Sequence, residues 1–144
     1  MLWGNALCCI LFLMNSKMIG EKSEGMVLAR FLQLEWVVLL PFGDNQRYDF
    51  VIDRGQGFER IQIKTAKLKG SYIKFHTCSS QNHRGNGVKN YKGQCEFFAA
   101  YCPENNKIYF VKVEECGDTA ISLRINPPIN NQKSKIRFAE NYEL

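Results

Sequence analysis

Histidine is nearly missing from this chain: 144 residues carry only His76 and His83. A histidine-built metal centre is therefore excluded, and the cysteines do not replace it, because no CxxC pair and no paired Cys/His knuckle occurs. His76, at a strand-like end, reads as structural, and His83 as a loop residue near phosphate rather than a catalytic one. Cys8, Cys9, Cys78, Cys95, Cys102 and Cys116 are scattered. Four of them fall in or beside apolar runs, and they read as buried reduced thiols rather than zinc ligands or disulfides. No phosphate-cradling glycine loop and no Gly-x-Ser-x-Gly turn is present, which removes two large classes of nucleotide and acyl chemistry. Long apolar runs are also scarce. The single charge-free one at the start, MLWGNALCCILFL, is too short to span a bilayer and lacks the basic flank of a signal peptide. With Met14 and Met18 close behind, residues 1–17 read as an extension outside the fold. A weak signal or anchor is the alternative reading, and no membrane partner is expected.

What remains is a globular composition: 45% hydrophobic, 12% aromatic and a net charge of +5. That is enough for one domain with a real core, spanning residues 18–144, with no repeat and no linker. The mild positive charge admits a nucleic-acid partner without demanding one.

Periodicity sets the elements. Residues 16–35 read as a helix, with Val27, Leu28, Phe31, Leu32 and Glu35 recurring at three- and four-residue steps. Residues 36–41 read as a strand buried on both faces. A strand over 48–53, a loop at Arg54-Gly55-Gln56-Gly57 and a strand over 58–65 follow. Further strands are expected over 71–77, 95–101, 107–113 and 119–125, with a polar loop over 79–92 and a helix-like end at 137–142. A leading helix followed by mostly consecutive strands points to an α+β or mixed α/β fold, not a doubly wound sheet.

The chemistry gathers around the strand over 58–65. Period two sends Ile61 and Ile63 into the core and puts Gln62 and Lys64 together on the opposite face. Asp49 stands 13 residues before Gln62, and Glu24 lies 25 residues before Asp49 on the helix. An acid followed by a polar-x-Lys pair suits metal-assisted phosphodiester hydrolysis, because hard magnesium prefers oxygen ligands. In that reading Asp49 anchors the ion. The Gln62 side-chain oxygen and the Ile63 backbone carbonyl add ligands, and Glu24 reaches in from the helix, through water or to a second ion. Lys64 orients or deprotonates the attacking water and steadies the transition state. A neutral glutamine among the ligands lowers the charge around the ion and weakens its hold before DNA supplies a phosphate. The competing reading makes Gln62 and Lys64 a solvated strand face and Glu24 a helix-dipole residue.

Four stretches taken together, Pro41-Phe42-Gly43-Asp44-Asn45-Gln46-Arg47-Tyr48-Asp49, Arg60-Ile61-Gln62-Ile63-Lys64-Thr65, Tyr91-Lys92-Gly93, and the tail from Leu123 to Ala139, carry a resemblance. The chain resembles the group I intron-associated homing endonucleases of the PD-(D/E)XK superfamily from about Met18 to its end, the Gln-x-Lys variant included. The resemblance implies a restriction-endonuclease-like core with a helix before a mixed sheet. It implies a homo-oligomer, a tetramer or dimer, that cuts double-stranded DNA at a long site with magnesium or manganese. It implies Glu24, Asp49, Gln62 and Lys64 as the catalytic set. It implies a cytoplasmic place, nucleoid-associated, or organellar in a plastid-bearing host. Two positions depart from the family pattern: Glu96 stands where Asp is expected before the paired aromatics, and Glu35 where Gly often precedes Trp. Contacts to DNA are expected from Lys67, Lys69, Lys74, Arg84, Lys89, Lys92, Lys133, Lys135 and Arg137. A structure-selective, junction-resolving nuclease and a non-cleaving DNA-binding relic share this core and are the alternatives.

Overall fold

The structure, a computed structural model, describes residues 15–80, 87–128 and 134–144. The apolar run at residues 1–13, His83, Arg84 and Lys133 lie outside them. In chain order the elements are helix α1 (Ser16–Gln33) and strands β1 (Val37–Leu39), β2 (Phe50–Asp53), β3 (Phe58–Thr65), β4 (Lys67–Lys69), β5 (Tyr72–His76), β6 (Cys78–Ser80), β7 (Val88–Asn90), β8 (Phe97–Cys102), β9 (Lys107–Lys112) and β10 (Ala120–Arg124), with a last 3-10 turn at Ala139–Tyr142. The helix begins two residues before residue 18, the start of the domain drawn from the sequence. Asn15 caps it, its side-chain oxygen accepting the Met18 N–H at 2.9 Å.

Five strands form one sheet in the order β1-β2-β3-β8-β9, antiparallel except for the parallel pair β3–β8. α1 covers one face, where Val27, Phe31, Phe50, Ile52, Ile61, Ile63, Ala99, Tyr101 and Ile108 meet. A second sheet, β10-β5-β4, covers the other, bringing Ile73, Phe75, Ile121 and Leu123 onto Phe98, Ala100 and Val111. β8 therefore lies between two cores, and its unbroken run Phe98-Ala99-Ala100-Tyr101-Cys102 is buried on both faces. Cys95, Cys102 and Cys116 are buried free thiols, as expected, and Cys78 is a half-buried one.

Three elements depart from the sequence reading. The buried row of α1 is Ser23, Val27 and Phe31, while Leu32 is exposed. A small residue at Ser23 lets the helix sit close to β3, and the Ser23 and Thr65 hydroxyls meet at 2.6 Å. β1, expected to be buried on both faces, is an edge strand: Val37 and Leu39 are exposed, and Leu40 just after it is 67% exposed. A continuous apolar run does not by itself distinguish a central strand from an edge whose outer side awaits cover. The polar segment over 79–92, expected as loop, holds β6 and β7, paired with each other.

Glu35, one of the two departures from the family pattern, has a structural consequence. It follows the helix C-cap Leu34 in the left-handed region, with φ +59°. Its N–H donates to the Leu32 carbonyl and the Trp36 N–H to the Phe31 carbonyl, both at 3.0 Å. This closes a Schellman motif, with the Trp36 ring packed 5.1 Å from that of Phe31. Glycine takes this conformation without the Cβ clash that glutamate suffers. Glu35→Gly is expected to stabilise the protein by about 1 kcal/mol and to raise Tm by roughly 2–4 °C. A melting curve that is unchanged or lowered would count against this helix stop.

Candidate active site

Asp49 stands just before β2, its N–H given to the Ile61 carbonyl at 2.8 Å. This bond continues the β2–β3 ladder by one step and fixes where the carboxylate points. A single oxygen, Oδ2, accepts two bonds of 2.6 Å each, from the Ile63 N–H and from the Gln62 side-chain amide. The same amide nitrogen lies 3.3 Å from the Ile63 carbonyl oxygen. Asp49, Gln62 and the Ile63 backbone therefore converge on one spot. Gln62 presents its NH2 there, held between two acceptor oxygens; to offer its oxygen to an ion, as expected from the sequence, the amide must turn over.

Lys64 shares the Gln62 face of β3 and is half-buried. Its ammonium donates to the Cys78 carbonyl at 3.4 Å and the Tyr91 hydroxyl at 3.3 Å. Glu24 sits one position beyond the buried Ser23 and is exposed on α1. Its carboxyl is pushed above the ordinary glutamate value by burial first, then by the charges of Asp49 and Glu21. The Asp49 carboxyl is also raised, by burial, against the opposing pull of the Ile63 N–H, Lys64 and Gln62. In both carboxyls burial is the leading cause, which marks a partly dry place where the charged form is disfavoured.

That donor chemistry fits a hard divalent cation: a carboxylate and a backbone carbonyl, an amide able to rotate, and a second carboxylate from the helix. It does not fit a soft ion. Among the described residues no cluster of three or more His, Cys, Asp or Glu side chains forms a metal cage. His76, expected to be structural, is exposed on β5.

The other departure from the family pattern, Glu96, completes a strong pair. Its carboxylate takes the Arg60 backbone N–H at 2.6 Å and also engages the guanidinium. It fastens the start of β8 to β3, and Arg60 holds its carboxyl below the ordinary glutamate range.

The cations expected at DNA separate into groups. Lys67, Lys69 and Lys74 all point outward from β10-β5-β4. There Lys74 lies opposite Lys67 and Ser122, and Tyr72 lies opposite Lys69 and Arg124. The outward positions of this sheet also include His76 and Ala120 and hold no carboxylate. Lys89 is exposed on β7, and Lys135 is exposed in the tail. Lys92 is paired with Asp118 at 3.0 Å, and Arg137 donates to the Glu115 carbonyl at 2.7 Å. Sequence reasoning missed Tyr72, Ser122 and Arg124, because only the strand register brings them beside the lysines.

The sequence profile of one family, described as PD-(D/E)XK endonuclease, matches residues 14–144. No curated protein matches. Among solved structures, the chain is similar to that of a bacterial homing endonuclease, I-Ssp6803I. The identity is 23% and the TM-score 0.70, over 90% of this chain and 88% of that one. At that identity the likeness is one of fold: a leading helix followed by mixed sheets. Among the described residues no helix is long and apolar enough to cross a membrane.

Proposed function

This chain belongs to the PD-(D/E)XK endonuclease family, and from that premise we propose that it is a magnesium-dependent, sequence-specific double-strand DNA endonuclease of the homing type. The observation that carries the catalytic assignment is the Asp49 oxygen, bonded to both Gln62 and the Ile63 backbone at 2.6 Å, with Lys64 on the same strand face. A strand face selected only for solubility has no need to bury a carboxylate against its own backbone and a neighbouring amide.

In this reading Asp49, the Ile63 carbonyl, a turned Gln62 amide and Glu24 hold the divalent cation. When bound, that cation neutralises charge on the scissile phosphate and acidifies the attacking water. Lys64 is a half-buried cation whose ammonium is fixed by two acceptors, Cys78 and Tyr91. Its ammonium orients the water and steadies the charge that develops on phosphate oxygens. Burial of Asp49 strengthens each of these interactions relative to water.

Duplex DNA is met by the outward face of β10-β5-β4, where Lys67, Lys69, Lys74 and Arg124 occupy strand positions that hold no carboxylate, with Glu104 beside Lys67 at the β4 end. Lysines placed directly opposite one another, as Lys67 and Lys74 are, repel and cost stability. A phosphate backbone offsets that cost. The exposed apolar edge, Val37, Leu39, Leu40, Phe42 and Phe58, supports a second copy as partner, since an uncovered edge strand is otherwise an aggregation hazard.

The test is cleavage of a duplex library carrying a randomised long site, with magnesium and with EDTA. Discrete cutting that EDTA abolishes, with affinity falling steeply as salt rises, is the expected result. Preference for a branched junction over every linear duplex would replace homing with resolution. Salt-sensitive binding without cutting would make the chain a relic.

A further inference from the structure

Tyr91 is buried, and its ring contacts two cations. The Lys64 ammonium nitrogen lies 4.5 Å from the ring centroid and the Arg47 guanidinium carbon 4.2 Å from it. The phenol oxygen takes one of the Lys64 hydrogen bonds. Phe98, from the core between the sheets, meets the Tyr91 ring edge-on at 5.6 Å and fixes its plane. Arg47 stands two residues before Asp49. Its Nη2 donates to the carbonyls of Lys89 and Asn90, at 3.3 Å and 3.1 Å, the two residues that lead into Tyr91. One guanidinium thus ties the segment carrying the catalytic acid to the segment carrying the tyrosine that meets the catalytic lysine.

Resting on the nuclease reading for its catalytic meaning, we propose that Arg47 and Tyr91 are positioning residues that clamp the Lys64 ammonium. A lysine side chain is a flexible four-carbon stem ending in a compact charge. Left free, it spreads over many rotamers and spends little time where the reaction needs it. The ring offers a cation-binding face and the hydroxyl an acceptor, so two weak contacts select one placement. Cys78 supplies a second acceptor, and the third ammonium hydrogen remains for water or phosphate. Arg47 acts one step further out, by fastening the backbone on which Tyr91 stands and stacking on the Tyr91 ring.

A placement over an aromatic ring has a spectroscopic signature that does not depend on cutting DNA. The ε-methylene protons of Lys64, assigned by their loss in Lys64→Arg, are expected upfield of the other lysines in the 13C–1H spectrum of the whole protein. Tyr91→Phe keeps the ring and keeps the displacement. Tyr91→Leu abolishes it, and Arg47→Met, which spares the core, weakens it. In single-turnover cleavage, Arg47→Met is expected to be about 10- to 100-fold slower, with duplex affinity within about twofold, and Tyr91→Phe, which loses the hydroxyl acceptor but keeps the ring, to be slowed by less than Tyr91→Leu. An undisplaced Lys64 signal in the wild type overturns the clamp. So does Arg47→Met with the displacement and the rate both intact, even if its Tm has fallen, because a merely structural arginine would behave that way. A displaced signal that responds to Arg47→Met, in a protein that cuts no duplex, upholds the clamp and sinks the nuclease reading instead.

Discussion

Lys64→Ala is expected to slow single-turnover DNA cleavage by about 10³-fold or more while duplex affinity stays within about twofold. The magnitude follows from two roles lost together. A positioned donor that orients the attacking water contributes on the order of 10²-fold, and a fixed cation at a developing charge adds a comparable factor in a partly dry site. Affinity is expected to survive because the proposed DNA face spreads binding over the outward lysines and Arg124 of β10-β5-β4, each contributing a small electrostatic share. Lys64→Arg should not restore activity. A planar guanidinium does not fit between the Cys78 carbonyl and the Tyr91 ring and hydroxyl as an ammonium does. The substitution also removes one of the influences that hold the Asp49 carboxyl down, so the alanine variant needs a higher pH to keep Asp49 ionised. Single-turnover rates on an identified duplex, beside gel-shift affinities, check both halves. Cleavage within tenfold of wild type would return Lys64 to the solvated face of β3.

The parts of this molecule legible in its sequence are those fixed by local periodicity. The Ile61/Ile63 and Gln62/Lys64 alternation survived intact, because a strand pinned by core residues on one face has no freedom to rotate the other. The apolar run through Ala99 and Ala100 also read correctly as a strand. What was not legible depends on pairing across long separations. Tyr91 meets Lys64 over 27 residues and Arg47 reaches Asn90 over 43, and no local pattern signals either contact. Lys67 faces Lys74 only because β4 and β5 form a hairpin, a pairing that no local pattern in the sequence marks. β1 misled in the opposite way: its composition is that of a buried strand, and its place at the sheet edge is set by the order of the whole sheet.

Asp49→Asn is expected to abolish cleavage, by about 10³-fold or more, and to make the metal-free protein more stable. The stabilising part needs its sign worked out. Burial raises the Asp49 carboxyl above its unfolded value. A group shifted that way adds stability at pH values below the unfolded pKa, and that contribution is lost as pH rises through the folded pKa. Above the folded pKa the carboxylate is ionised in both states and its burial is fully unfavourable. Asparagine removes the charge without stripping the local bonds. Both hydrogen bonds, from the Ile63 N–H and the Gln62 amide, fall on one oxygen, which an asparagine carbonyl can replace. The expected rise in Tm is on the order of 2–4 °C, measured in EDTA near pH 7 and shrinking toward zero as the buffer is acidified. Magnesium or calcium should then raise the Tm of the wild type, since an ion that binds only the folded state stabilises it by mass action, and should leave the variant unmoved. The Glu24 carboxyl, relieved of the Asp49 charge that helps to raise it, should titrate lower in the variant. An unchanged metal-induced shift in Asp49→Asn would remove Asp49 from the ligand set, whatever happened to cleavage. A Tm that falls in EDTA would show that the Asp49 carboxylate holds β2 to β3 more strongly than its burial opposes.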